Sequence, residues 1–250
     1  MPEQSPGGYL LSARSVIDLT VMQKLNWDLH GHDLNENGFT CLPPLVSVEE
    51  CRDLAQGYDD PDRYRKTVTM KQHNFGRGEY RYFSYPLPGL VDELRHALFP
   101  PLARIANDWH EKLNIVQRYP DHLDEWLAVC HQAGQTRPTP LILNYQTGDW
   151  NALHQDIYGE LYFPFQAVLF LTQPGRDYAG GEFVMLEQRP RRQSKAIVLQ
   201  PEQGQVLVFT TRHRPAKGTR GYYRVSMRHG VSEVRQGTRL NLGIIFHDAQ

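Results

Sequence analysis

The sequence predicts an α+β fold, with helices gathered in its first half and an all-β second half. Three observations predict it. Before Pro140 the apolar residues recur mostly at helical spacing. After Pro140, seven short apolar runs follow at close spacing with turn residues between them, as in a β-sandwich or barrel. No flexible linker separates the halves. Residues 1–139 are therefore expected to pack, as a helical and hairpin region, on a core at 140–250, in one integrated domain.

Taken in order, residues 14–30 carry Val16, Ile17, Leu19, Val21, Met22 and Leu25 in a helical rhythm. NENGF, 35–39, reads as a turn, and FTCLPPLV as a short strand interrupted by two prolines. Ser47 and Glu50 have the spacing of a capping box that opens a helix over SVEECRDLA. Residues 66–85 alternate and are rich in aromatics around GRGE, which predicts a hairpin, and GRGEYRYF reads either as a substrate lid or simply as an exposed hairpin. Residues 90–113 read as a helix kinked or broken at Pro100-Pro101, since proline removes a donor and crowds the preceding turn. Residues 121–131 predict another helix. The strand candidates are LILNY, AVLFLTQ, GEFVMLEQ, KAIVLQ, QVLVFTT, VSMRHGVSEV and RLNLGIIF.

Composition narrows the function classes. The 250 residues are 40% hydrophobic and 22% charged, which fits a globular protein with a sizeable core. A net charge of −1 gives no global field toward nucleic acid or an anionic membrane. No run is long and apolar enough for a membrane span, and MPEQSPGGYLLSARS lacks the basic and apolar regions of a secretion signal. Cys41, Cys51 and Cys130 are odd in number and scattered, as in reduced cytosolic proteins, so a cytoplasmic location is expected.

The chemistry lies in YQTGDWNALHQD, residues 145–156. On a strand, residues two apart share a face, so His154 and Asp156 can offer an imidazole and a carboxylate to one ion. His229, 75 residues on in MRHGVSEV, supplies a third ligand from a later strand. Two His and one carboxylate leave three positions open, the arrangement of non-haem Fe(II) oxygenases. Zinc hydrolases also use two His and an acid, so the triad alone does not fix the metal. Arg239, ten residues beyond His229, can clamp a carboxylate in a bidentate pair, and Tyr145 can donate a second hydrogen bond to it. A metal chelator with a distal carboxylate describes 2-oxoglutarate.

The order of parts, Y-x-x-G-x5-HxD, then GGEF, then HGV-x7-R, resembles the Fe(II)/2-oxoglutarate-dependent dioxygenases across residues 140–248. The resemblance implies a double-stranded β-helix (jelly-roll) core with an N-terminal helical buttress. It implies His154, Asp156 and His229 as Fe(II) ligands, and Arg239 with Tyr145 as anchors of 2-oxoglutarate, with O2 as the other co-substrate. It also implies hydroxylation coupled to formation of succinate and CO2, or demethylation where the hydroxyl lands on an N-methyl group. YQTGDWNALHQD resembles the alkylated-nucleic-acid repair dioxygenases, and RLNLGIIF echoes their Arg-x-Asn-Leu strand. Ile245 stands where those enzymes carry a second Arg. The short His-to-Arg spacing, Gly180-Gly181-Glu182 and NGFTCLPPLVSVEEC are more similar to prolyl hydroxylases. The run RPAKGTRGYYRVSMRHGVSEVRQGTRLNLGIIFHDA resembles a bacterial oxygenase family described as acting on damaged DNA.

Other histidines compete for these roles. The His122–Asp124 pair sits in a helical context, where residues two apart point about 200° apart, and reads as structural. His30 and His32 read as solvated loop residues, His213 as a loop residue among Arg and Lys, and His247 as a local hydrogen-bonding residue. On the substrate side, Trp150, Asn151, Tyr158, Arg224 and Arg228 are the candidates. Residues 189–195, RPRRQSK, and 211–224, TRHRPAKGTRGYYR, are basic stretches that suit a phosphate backbone and an unstacked base. The expected substrate is therefore an alkylated base in DNA or RNA. Hydroxylation of a prolyl or other protein residue, or of a small molecule, is the alternative. A non-catalytic ligand-binding module on the same fold is the reading of another class, and the intact triad with Arg239 argues against it.

Overall fold

The computed structural model describes residues 17, 19–73, 75–156 and 160–250. Capping chemistry sets the first elements. After a short helix α1 (Leu19–Lys24), the Asn26 side chain accepts from the Leu29 N–H and opens α2 (Trp27–Asn37). Gly38, at φ 78°, closes it in the left-handed conformation, and its N–H bonds the Leu34 carbonyl. The expected turn at 35–39 is thus the end of a helix. Of the helix expected over 14–30, residues 14–16 and 18 lie outside the described residues, and the rest is in two pieces. His30 is correspondingly not a solvated loop residue: it is buried on α2, with Nδ1 2.8 Å from Thr40 Oγ1. His32 is exposed on the same helix. β1 (Phe39–Leu42) follows, then α3 (Val48–Gln56), which opens on the reciprocal Ser47–Glu50 capping box.

β2 (Tyr64–Thr69) and β4 (Glu79–Phe83) form the expected hairpin. GRGE is not its tip. Gly76–Arg77 forms a two-residue strand, β3, that leaves the hairpin and pairs with the second sheet. α4 (Gly89–Lys112) runs unbroken through Pro100 and Pro101. Leu98, Phe99, Leu102 and Ala103 around the prolines are almost wholly buried, and that packing outweighs two missing backbone donors. α5 (Leu123–Gln132) starts after His122, so the His122–Asp124 pair straddles an exposed helix start, and Asp124 bonds His96 instead.

The second half supplies β5 (Leu141–Gln146), β6 (Trp150–His154), β7 (Phe165–Phe170), β8 (Tyr178–Gly180), β9 (Phe183–Gln188), β10 (Lys195–Leu199), β11 (Val206–Thr210), β12 (His213–Gly218), β13 (Gly221–Val231) and β14 (Val234–Ile245). They form two antiparallel sheets. One runs β1-β11-β7-β14-β5-β4-β2 with β8 on β14, the other β10-β9-β13-β6-β3 with β12 on β13. Strands from before residue 140 therefore complete the larger sheet.

β7 is buried at every position because both of its faces are covered. Phe165, Ala167 and Leu169 pack in one cluster with Leu94, Leu98, Phe99, Leu102 and Trp109 of α4. Val168 and Phe170 pack on the inner side with Phe183, Met185, Phe209 and Met227. The helices thus cover the outer face of the larger sheet, and the space between the sheets is left for the site. No helix among the described residues is long and apolar enough to cross a membrane.

Candidate active site

His154 ends β6 and pairs directly with His229 on β13. Asp156 lies two residues past His154, just beyond the strand. Its place is held by its neighbour: the Gln155 amide donates to the carbonyls of Arg212 (2.7 Å) and Met227 (2.9 Å). Asp156 Oδ1 is 3.3 Å from His154 Nε2 and Oδ2 is 3.2 Å from His229 Nε2. One ligand atom from each of the three lies within 4.8 Å of the others.

The protonation pattern suits a cation. His154 Nδ1 donates to the Ala152 carbonyl at 2.7 Å, which leaves Nε2 as the lone-pair nitrogen. Burial works against the Asp156 carboxylate, but the two facing imidazoles outweigh it and hold its pKa well below the carboxylate range, and Asp156 in turn raises that of His154, so positive charge is drawn to this point, as a proton where no metal is bound. Burial and the nearby His154 push His229 down, toward the neutral ligand form, against the pull of Asp156. Three acceptors facing one another repel unless a positive charge sits between them, so this donor set fits a divalent metal. The His229 ring is fixed by Phe183, stacked at 5.9 Å, and Phe209 at 4.6 Å.

Arg239 lies in β14 directly opposite Tyr145 in β5. It is 2% exposed, its guanidinium carbon lies 5.3 Å from the Tyr145 ring and 5.4 Å from Phe170, and its Nε has no partner among the described residues. Burial lowers its pKa, opposed by the Tyr178 and Tyr145 hydroxyls. Tyr145 is fully buried, and burial pushes its pKa up to about 12, so it stays a donor. Its hydroxyl accepts from the Asn151 amide at 3.3 Å. A buried guanidinium with no ion-pair partner among the described residues is suited to receive an anion. Two residues along the same face, Asn241 is 1% exposed with both amide atoms unpartnered, and it too lines the cavity. The triad and Arg239 open on one cavity of about 430 Å³. The residues present therefore fit Fe(II) and 2-oxoglutarate.

The substrate-side expectations divide. Asn151 lines the cavity. Trp150 does not: it is 39% exposed and pairs with Arg77 of β3. Arg224 and Arg228 do not either. On β13 the side chains alternate, His229, Met227 and Val225 are buried, and the residues between them point to solvent. Tyr158 lies outside the described residues. The stretch that reads as a lid or an exposed hairpin lines the cavity: Tyr80 and Tyr82 lie on β4, paired between β2 and β5, and line it with Phe75, Met70, Leu141 and Leu143.

Sequence reading missed Asn241 and Gln166. The signal for the first was its two-residue spacing from Arg239; for the second, a lone amide in the apolar run FPFQAVLFL. His213 is a strand residue of β12, not a loop residue, and burial with Arg224 and Arg212 nearby lowers its pKa to about 4. His247 is the expected hydrogen-bonding residue: its Nδ1 accepts from the Phe163 N–H.

The basic stretches are only partly free. The first forms the turn between β9 and β10, where Arg191, Arg192 and Lys195 are exposed. The second is not a loop but the β12–β13 hairpin. Arg189 and Arg214 are engaged by Glu187, at 2.6 and 2.8 Å, and Arg214 is buried. The exposed Arg212 begins beside the triad, where Gln155 holds its carbonyl.

Comparisons with known proteins agree with this geometry. The fold is similar to a 2OG-Fe(II) oxygenase family oxidoreductase from Burkholderia pseudomallei (TM-score 0.53, 18% identity, 90% of this chain and 94% of that one). It is also similar to a Pseudomonas putida prolyl-4-hydroxylase (0.50, 14%, 90% and 99%) and to SnoK, a non-heme alpha ketoglutarate dependent carbocyclase from nogalamycin biosynthesis (0.51, 14%, 90% and 84%). Two uncharacterized proteins of Mycobacterium tuberculosis, MT2286 and Rv2227, are 53% identical over 167 residues, covering 67% of this chain and 72% of theirs. A family model described as "Oxygenase, catalysing oxidative methylation of damaged DNA" matches residues 78–249.

The jelly-roll fold, the His-Asp-His cluster and the family match together define an Fe(II)/2-oxoglutarate-dependent oxygenase, an oxidoreductase that takes Fe(II), 2-oxoglutarate and O2. Within that class the chain belongs to the Oxygenase-NA family.

Proposed function

We propose that the protein oxidatively demethylates an alkylated base in DNA or RNA. The observation that carries this reading is the cavity wall. Tyr80 and Tyr82 present two rings 5.5 Å apart, edge to face, and Phe75 lines the same cavity. Arg65 lies 4.7 Å from the centre of the Tyr82 ring. Aromatic walls of this kind suit a flat ring taken out of its stack. The family description and the exposed basic residues near Gln155 support the same reading.

In this reading His154, Asp156 and His229 hold Fe(II), while Arg239 and Tyr145 hold the distal carboxylate of 2-oxoglutarate. With iron bound, the site supplies hydroxylation: O2 gives one oxygen atom to the succinate formed as CO2 leaves and one to a substrate C–H bond. An N-methyl carbon hydroxylated in this way leaves as formaldehyde and restores the N–H. Arg239 and Tyr145 would orient the co-substrate, and the buried ring of His229 excludes water from its side of the triad. The N-terminal helices, α4 above all, buttress the larger sheet that carries Arg239. The three cysteines are free thiols, which supports a reducing, cytoplasmic setting.

The test is succinate formation by the Fe(II)-loaded protein with methylated single-stranded DNA, or with a proline-rich peptide. Stimulation by the methylated strand with formaldehyde release is expected. Stimulation by the peptide alone would make the protein a hydroxylase of protein residues.

A further inference from the structure

Gln166 is a cavity residue outside the His-Asp-His cluster and the Arg239–Tyr145 pair. It is 7% exposed, lines the cavity, and its Nε2 has no partner among the described residues. It interrupts a strand that is otherwise apolar at every position.

Two ladders place it. Along β14, Gln166 stands opposite Ile245, and along β11, opposite Phe209. Ile245 is six residues from Arg239, about 20 Å along a strand. Phe209 packs on the His229 ring at 4.6 Å. Gln166 therefore sits toward the metal end of the cavity, at the opposite end of the β14 face from the guanidinium. The cavity residues next to it, Val168, Phe209 and Ile245, offer no side-chain acceptor. A buried amide left without a partner weakens the fold, so its partner is expected to arrive with a ligand.

We infer that Gln166 is a specificity-determining residue whose amide hydrogen-bonds the polar edge of the primary substrate. The inference rests on the demethylase reading for the identity of that substrate. A glutamine amide offers a donor and an acceptor side by side, and a nucleobase edge such as adenine N6 and N7 matches both. Tyr80 and Tyr82 then take the face of the ring while Gln166 reads its edge.

The test compares wild type, Gln166→Leu and Gln166→Glu, each Fe(II)-loaded, on an oligonucleotide carrying 1-methyladenine. Gln166→Leu should raise the KM for the oligonucleotide at least tenfold and that for 2-oxoglutarate less than twofold. Its melting temperature should rise, because the unpartnered amide is gone. Gln166→Glu, which loses the donor, should change the preference between 1-methyladenine and 3-methylcytosine. An equal rise in the KM for 2-oxoglutarate would make Gln166 a co-substrate residue and overturn the inference. So would a lowered melting temperature with both KM values unchanged, the mark of a structural amide. If the wild type leaves the methylated strand untouched while consuming 2-oxoglutarate, the demethylase reading fails separately. The Leu variant then still decides: a raised melting temperature keeps the inference, and a lowered one ends it.

Discussion

Arg239 and Tyr145 stand directly opposite each other across the β14–β5 ladder, the guanidinium carbon 5.3 Å from the ring centre, and both are almost wholly buried. The ring holds the guanidinium without neutralising it, so the charge is kept for an incoming carboxylate. Arg239→Leu should remove about 3 kcal/mol of 2-oxoglutarate binding, roughly a hundredfold in KM. Tyr145→Phe loses one hydrogen bond and should cost about tenfold or less. Succinate formation against 2-oxoglutarate concentration measures both.

Gly180 and Gly181 should separate into two phenotypes. Both have positive φ, 78° and 62°. A Cβ on Gly180 would meet backbone, the Glu233 carbonyl at 2.3 Å and the Arg235 nitrogen at 2.8 Å. One on Gly181 would meet Arg239 Cδ and Val234 Cγ2, each at 2.9 Å. Gly180→Ala should therefore act mainly on the melting temperature. Gly181→Ala should also raise the KM for 2-oxoglutarate, because Arg239 has to move. Equal KM values in the two variants would count against this division.

His154→Ala, Asp156→Ala and His229→Ala should each abolish Fe(II)-dependent succinate formation while keeping the far-ultraviolet circular dichroism of the folded chain. Metal binding stabilises by mass action, about 2.7 kcal/mol at a hundredfold excess over Kd. Added Fe(II) under anaerobic conditions should thus raise the wild-type melting temperature and leave that of each variant unmoved. Full activity in any one would remove that residue from the triad.

How far the sequence foretold this site depended on spacing. His154, Asp156 and Arg239 were legible because short intervals tie them to strands, and His229 because it heads a run toward Arg239. Arg224 and Arg228 were misplaced because nearness in sequence to His229 says nothing of face, and strand alternation turns them outward. The helix through Pro100-Pro101 was illegible because long-range burial against the larger sheet decides it. β12 is not legible as a strand because HRPAKG has no apolar rhythm; β13 holds it, with His213 opposite Ser226.

The basic residues should divide by what they touch. Arg191→Ala with Arg192→Ala should weaken binding of single-stranded DNA. It should also flatten the salt dependence by about 1.4 in log–log slope, about 0.7 for each lost phosphate contact. Arg214→Ala should instead destabilise the fold by about 3 kcal/mol, since it leaves the buried Glu187 with only Arg189. Titration of a labelled strand at several salt concentrations, beside urea denaturation of each variant, tells these effects apart.

Acid should unfold the protein in part through His247. Its Nδ1 accepts from the Phe163 N–H at 3.2 Å, so the folded chain needs the neutral ring, and a proton on Nδ1 would turn an acceptor into a second donor. Burial, with Arg95 nearby, lowers its pKa to about 4 from the ordinary 6.5. The unfolded chain therefore takes up the proton first as the pH drops. Stability is complete above 6.5 and is lost as the pH falls toward 4. By pH 5 this one histidine should account for about 2 kcal/mol. His247→Asn keeps an acceptor for Phe163 but has no proton to gain. It should lower the urea midpoint at pH 7.5 while narrowing the gap between pH 7.5 and pH 5. An unchanged gap would place the acid sensitivity elsewhere, His213 being the other histidine held near 4.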